Sequence, residues 1–392
     1  MLKDFSLASI TAGFVAVLTG TTGSIAIIFQ AAQSAGATAE QISSWLMALG
    51  IGMALTTILL SYRYKAPILT AWSTPGAALL VTSLEGISIH EAIGAFIACG
   101  ILTTLSGMTG WFERVLNLVP KSLAAAMLGG ILLQFGIDAF ASLNDQLLLV
   151  LPMLCAYITL KRMIPRYTIV CVLLLGISIA HYLGLLQLAT FTVALSKPIY
   201  MAPSFTVATL ISVGLPLFIV TMTSQNIPGM ATIRAAGYNP PISPLITWTG
   251  VSAVVFAVFG GFSYNLAAIT AAICMGPEAH PKKEKRYTAA LSAGFFYLLF
   301  GIFGATVVAL FMAFPEALVM TIAGLSLLST IGTSMVNALQ VEAHREPALI
   351  TFLVTASGIV IAGLGAAFWG LVAGVISTVV LNSYRKQASR SV

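Results

Sequence analysis

The sequence predicts an all-α polytopic membrane protein with fourteen transmembrane segments in two inverted seven-span repeats. Three observations point there. First, only 8% of the 392 residues are charged and 58% are hydrophobic, with a mean hydropathy of +0.99. A soluble chain needs far more charge to cover its surface. Second, charge-free runs recur at 5–39, 92–112, 235–277, 288–315 and 317–341. At roughly 20 residues per span the chain has room for about 12 to 14 membrane helices. Third, polar stretches rich in Gly and Pro interrupt the apolar spans in both halves, as they do where membrane helices are broken around a binding site.

The spans follow in order. Span one, 11–35, carries Thr19, Gly20, Thr21, Thr22, Gly23 and Ser24 at its middle. Span two covers 43–60 and ends at the basic loop Arg63-Tyr64-Lys65. Span three, 67–82, contains Trp72-Ser73-Thr74-Pro75-Gly76. Pro75 lacks a backbone donor and disfavours helix in the residue before it. The span therefore reads as an extended lead-in followed by a half-helix starting near Pro75, tolerable only where protein or a cavity surrounds the loosened backbone. Spans four to seven fall at 90–110, 121–139, 146–160 and 168–186, and a loop at 187–205 with Pro198 and Pro203 divides the halves.

Span eight, 215–237, begins apolar and then places Thr223, Ser224, Gln225 and Asn226 directly before Pro228-Gly229. Amides at such depth are costly unless protein, water or a ligand satisfies them. The stretch reads as another polar break, while the half-helices are assigned to spans three and ten. Span nine is 244–260. In span ten, 262–276, Phe262, Ser263, Tyr264 and Asn265 precede a half-helix starting near Leu266. Spans eleven to fourteen are 288–312, 315–338, 347–362 and 364–381.

The halves echo one another. Gly36 aligns on Gly237, Ser73 on Ser263 and Pro120 on Pro315, in one common order. The expected division is 1–190, an extracytoplasmic linker at 191–205, and 206–392. An odd number of spans per repeat inverts the second against the first. With both termini in the cytoplasm, every basic residue of the 18 except Lys197 lies in an inward loop or tail, a strong positive-inside pattern. That placement explains the net charge of +6 through orientation and anionic lipid, with no nucleic-acid partner.

Two half-helix N-termini facing each other at mid-membrane, with Ser, Thr, Asn and Gln around them, favour an anion such as a carboxylate. No Asp or Glu lies deep in a predicted span. The candidate substrate-binding residues are Thr22, Ser24, Trp72, Ser73, Thr74, Gly76, Gln225, Asn226, Phe262, Tyr264 and Asn265, the aromatic members taking a ring. Gly76 is expected to bring free backbone N–H groups against the anion from a cavity wall with room to spare. Glu342, His344, Arg345 and Glu346 are candidates for an ion-paired inner gate. Cys99, Cys155, Cys171 and Cys274 sit singly in apolar stretches, without metal or redox spacing. No dinucleotide-binding glycine motif, phosphate-binding loop or HExxH zinc motif occurs, so neither an enzyme nor a cofactor is expected. A non-transport membrane scaffold remains the contrasting class, although it needs no aligned breaks.

The stretches LTAWSTPGAALL (69–80), SQNIPG (224–229), SPLI (243–246), AAITAAIC (267–274), GPEAHP (276–281), LVTASG (353–358) and AFWGLVAG (367–374) together resemble the BenE family of bacterial benzoate transport proteins along nearly the whole chain. The resemblance implies proton-coupled uptake of benzoate or a similar aromatic monocarboxylate across the bacterial inner membrane. It also implies an architecture similar to the uracil and xanthine permeases. There, spans one to four and eight to eleven make a core domain, and spans five to seven and twelve to fourteen make a gate domain. Where those permeases carry acidic residues on spans eight and ten, this chain has the uncharged Gln225 and Tyr264, a departure suited to an anionic substrate. The alternatives are a nucleobase carrier or another anion transporter. Expected partners are the aromatic carboxylate, a proton and membrane lipid, and a homodimer is compatible with the reading.

Overall fold

The computed structural model describes residues 4–110, 120–165, 167–187, 193–362 and 364–388. Lys3, Arg114, Arg166 and Arg390, used above to orient the chain, lie outside the described residues, and the side chains of Arg385 and Lys386 are likewise not described. The described chain is helical apart from two three-residue strands. Its elements are α1 (Leu7–Thr22), α2 (Ile25–Ser34), α3 (Ala39–Tyr64), β1 (Thr70–Trp72), α4 (Thr74–Ser83), α5 (Ile89–Met108), α6 (Lys121–Ala141), α7 (Leu147–Met163) and α8 (Thr168–Tyr182). After the long loop come α9 (Val207–Ala235), α10 (Ile242–Ala257), β2 (Tyr264–Leu266), α11 (Ile269–Met275), α12 (Tyr287–Ile302), α13 (Gly304–Met312), α14 (Glu316–Leu339), α15 (Arg345–Ala356) and α16 (Ala366–Ala388). Among the described residues 5 helices are long and apolar enough to cross a membrane, or 7 if each bent pair counts as one span.

Local chemistry sets several boundaries. Ser6, Thr38 and Ser88 cap α1, α3 and α5 with reciprocal side-chain bonds to the third helical residue, satisfying donors that a helix start leaves free. Pro120 and Pro315 occupy the N-cap positions of α6 and α14. Gly36 and Gly237 adopt positive φ (70° and 77°) just beyond α2 and α9, a conformation glycine takes without steric cost. Span one bends by 41° between α1 and α2, at Gly23-Ser24.

Span eight is continuous: α9 runs on through Pro228, and the polar block Met222–Asn226 is a π-helical turn. Its wider spacing, with the Ile227 N–H reaching the Met222 carbonyl, absorbs the proline that would disrupt a regular helix. Two expectations are corrected. The second half-helix starts at Ile269, because Leu266 is still paired in β2. Span eleven, read as continuous, bends by 61° between α12 and α13.

The most extensive helix–helix packing joins α6 with α14, α5 with α10, and α3 with α12. Glycines let the backbones approach at these crossings. A Cβ on Gly50 of α3 would lie 2.6 Å from Gly301 Cα of α12. One on Gly100 of α5 would lie 2.9 Å from the Val254 nitrogen of α10. The antiparallel ribbon sits between the last two pairs, with register Thr70↔Leu266, Ala71↔Asn265 and Trp72↔Tyr264.

Candidate functional site

Side chains alternate across a strand pair, so the ribbon has two unlike faces. Thr70, Trp72, Tyr264 and Leu266 share one. There Thr70 Oγ1 bonds Thr56 and Thr57 of α3 at 2.6 and 2.8 Å. On the same face the Tyr264 hydroxyl donates to the Ala48 carbonyl of α3 at 2.7 Å. Ala71 and Asn265, register partners, occupy the opposite face. Asn265 is fully buried, and neither its Oδ1 nor its Nδ2 has a hydrogen-bond partner among the described residues. An unpaired amide costs free energy in a buried setting, and few buried polar groups are left in that condition.

The other predicted residues divide into two groups. Several are committed to the fold. Trp72 Nε1 donates to Ser24 Oγ at 3.0 Å, and Ser24 Oγ donates in turn to the Gly20 carbonyl at 2.6 Å. Thr22 Oγ1 donates to the Leu18 carbonyl at 2.5 Å. Phe262 packs against Trp45 and Phe96, with ring centroids 6.5 and 6.0 Å away. Trp72 meets Phe300 at 5.6 Å. Asn226 Nδ2 donates to Met222 Sδ at 3.1 Å, while its Oδ1 accepts the Leu266 N–H at 2.9 Å.

Gly76 departs most from expectation. Its N–H is taken by Ser73 Oγ at 3.0 Å, the usual satisfaction of a helix N-terminus by its cap. An added Cβ would lie 2.7 Å from Leu217 Cδ1 of α9. The glycine therefore seats α4 on span eight, and no slack surrounds it. Thr74, at the first helical position, is partly accessible. Gln225, in the π turn, is half-buried and makes no hydrogen bond among the described residues. Asn265, Gln225 and Thr74 are thus the predicted residues with side chains left for a ligand.

The expected ion-paired gate is also corrected. His344 Nδ1 lies 3.1 Å from Ser122 Oγ, and Arg345 Nε donates to the Leu339 carbonyl. These contacts tie the loop after α14 to α6 and α14. Sequence reasoning missed Ser326, whose Oγ lies 2.7 Å from the Ala323 carbonyl of its own helix and 3.2 Å from the Gly23 carbonyl, donating between them and joining α14 to the bend of span one. A helical spacing of hydroxyls in 326–333 was the available signal.

The chain matches the model of the benzoate membrane transport protein family, BenE, over residues 3–380. It is 51% identical over 374 residues to inner membrane protein YdcO of Escherichia coli K12, covering 95% of this chain and 96% of that protein. It is 41% identical over 379 residues to the benzoate membrane transport protein of Acinetobacter baylyi, covering 97% and 96%. Among solved structures it resembles SLC26A9, with TM-score 0.64 and 12% identity over 98% of this chain and 67% of that one. It also resembles the transmembrane domain of the cyanobacterial bicarbonate transporter BicA, with TM-score 0.59 and 13% identity over 95% and 98%. At such identities these two establish the fold alone, that of the SLC26-like and uracil-permease-like membrane proteins. From its sequence relatives and its full-length family match, the chain belongs to the BenE family of membrane transporters.

Proposed function

We propose that the protein imports benzoate or a similar aromatic monocarboxylate across the bacterial inner membrane by proton symport, with alternating access. The observation that carries this reading is the Asn265 amide, fully buried and unpartnered on the outer face of the ribbon. An amide offers two donors and an acceptor without a charge. It can bind a carboxylate that a buried acidic side chain would repel. Gln225 supplies a second amide. The names of the two curated relatives, one an inner membrane protein and one a benzoate membrane transport protein, agree with the substrate class and the membrane.

The architecture behind this reading is two inverted seven-span repeats, with both termini cytoplasmic. A two-fold axis through Ala71↔Asn265 would map the ribbon onto itself, exchange the α3–α12 and α5–α10 pairs, and preserve α6–α14. Those are the pairs that pack. Gly36 with Gly237 and Pro120 with Pro315 occupy like positions in like elements. Spans one to four and eight to eleven then form the core, and spans five to seven and twelve to fourteen form the gate. Residues 1–190 and 206–392 make up the repeats.

The test is uptake of labelled benzoate, uracil and sulfate into proteoliposomes, with and without an inward proton gradient. Benzoate alone should accumulate, and only with the gradient. Gradient-driven uptake of uracil or sulfate without benzoate would overturn the reading.

A further inference from the structure

The two half-helices are covered unequally. In α4, residues Pro75 to Leu80 are all buried. In α11, Ile269 is 80% exposed, Ala272 is exposed and Ile273 is half-buried. Ile269 nevertheless adjoins a packed contact: a Cβ on Gly20 of α1 would lie 2.9 Å from Thr270 Cγ2. Three residues on, and so on the same face of span one, a Cβ on Gly23 would lie 2.6 Å from Ser326 Cβ of α14, whose Oγ bonds the Gly23 carbonyl. Thr270 and Ser326 are therefore neighbours across that face, with Ile269 exposed beside them.

The wall opposite α11 is polar. Ser326, Ser329, Thr330 and Thr333 recur three, four and seven residues apart, so they share one face of α14. The Ser326–Gly23 bond fixes that face toward span one. A different face, with Gly324 and Ile331, packs on α6: a Cβ on Gly136 of α6 would lie 3.2 Å from Ile331 Cδ1. Ser329 and Thr333 are exposed and Thr330 is partly so. The hydroxyls of Ser329 and Thr330 make no hydrogen bond among the described residues. Thr19, one residue before Gly20, has its Oγ1 buried and equally unpartnered. Asn265 lies at the deep end, on the ribbon face turned away from α3.

The open direction is fixed by contacts at either end. Lys285, in the loop after α11, pairs with Asp4 at 2.7 Å, so α11 ends on the side of the N-terminal segment. Gln30, at the far end of span one, contacts Met320 near the start of α14, so α14 also ends on the Asp4 side.

We propose that α11 and α14 form an amphipathic slot through which an aromatic carboxylate travels between Asn265 and the Asp4 side. The ring slides along Ile269, Ala272 and Ile273 while the carboxylate exchanges hydrogen bonds along Ser326, Ser329, Thr330 and Thr333. The slot rests on the functional reading above for its substrate, but its geometry can be tested apart from it. An apolar wall alone would strip the carboxylate of its hydrogen bonds at a cost of several kcal/mol; a hydroxyl stripe replaces them without the tight hold of a fixed positive charge.

Single cysteines are placed at Ser329, Thr333 and, as an exposed control on the opposite face of the same helix, Met335, after the four native cysteines are replaced by alanine or serine. Rates of reaction with a membrane-impermeant thiol reagent are measured from each side in vesicles of known orientation. S329C and T333C should react at least tenfold faster than M335C from the Asp4 side, and benzoate should slow S329C several-fold. Labelling of S329C and T333C no faster than that of M335C would overturn the slot, whatever the substrate. Fast labelling unaffected by benzoate, in a protein that binds benzoate by calorimetry, would overturn its role as the substrate path. Calorimetry on the parent protein reports separately on the functional reading.

Discussion

Asn226 Oδ1 on α9 accepts the backbone N–H of Leu266 on β2 at 2.9 Å. One side chain thus ties the π turn of span eight to the ribbon leading into α11. Asn226→Ala leaves that buried N–H without a partner, which costs about 1–3 kcal/mol. The purified variant should melt several degrees lower than the parent, and the shift should be read without ligand so that binding does not obscure it.

Asn265 should behave oppositely. Its amide has no hydrogen-bond partner among the described residues, so Asn265→Ala should leave the melting temperature unchanged or slightly raised. Benzoate affinity should fall by roughly one to two decades, the loss of a hydrogen bond to a charge worth about 1.5–3 kcal/mol. Asn265→Asp should bind more weakly still at neutral pH. Calorimetry with both variants, and with Gln225→Ala, ranks the two amides. Tight binding by Asn265→Ala would remove this residue from the site.

Gly76→Val should not give a folded protein with a blocked site. With Leu217 Cδ1 at 2.7 Å from the position of an added Cβ and the N–H held by Ser73, even Gly76→Ala should lower monodispersity in detergent. Combining Gly76→Ala with Leu217→Ala should recover part of the loss. A well-behaved Gly76→Val protein would contradict the packing.

Lys285 and then Tyr287 hydrogen-bond the Asp4 carboxyl and hold its pKa below the ordinary value for aspartate. A depressed carboxylate pKa contributes stabilisation above the unfolded value and loses it as pH falls through the folded one. Protection of the segment around Asp4, as exchange relative to the intrinsic amide rate at each pH, should therefore hold at neutral pH and fall only below the ordinary aspartate range. Asp4→Asn should show the lower protection at neutral pH as well.

Hydropathy and charge placement made the membrane class legible, and Pro75 marked the broken third span because proline acts on its own neighbours. The π turn at Met222–Asn226 was not legible. A proline after a polar block predicts a break equally well, and tertiary packing chose the bulge. Within the site, the sequence identified the right stretches but could not distribute their roles. Tyr264 and Asn265 are adjacent, yet strand alternation sends one to a carbonyl of α3 and leaves the other amide unpartnered. That division depends on which ribbon face meets α3, a fact no local pattern encodes. Ser326 escaped notice because its importance lies in a contact with Gly23, 303 residues away.

The glycine crossings of α3 with α12 and α5 with α10 also bear on how this lineage can change. Where backbones meet at Gly50 and Gly100, nearly any substitution adds a side chain where there is already an atom. Adaptive variation toward new substrates has little raw material there. The α14 stripe is different: Gly332, beside Thr333, has nothing within 4 Å of an added Cβ, and the hydroxyls of Ser329 and Thr330 bond nothing among the described residues, so these positions can be exchanged without losing a packed contact. Divergence in substrate range among relatives should therefore accumulate along α14, while the crossings stay fixed.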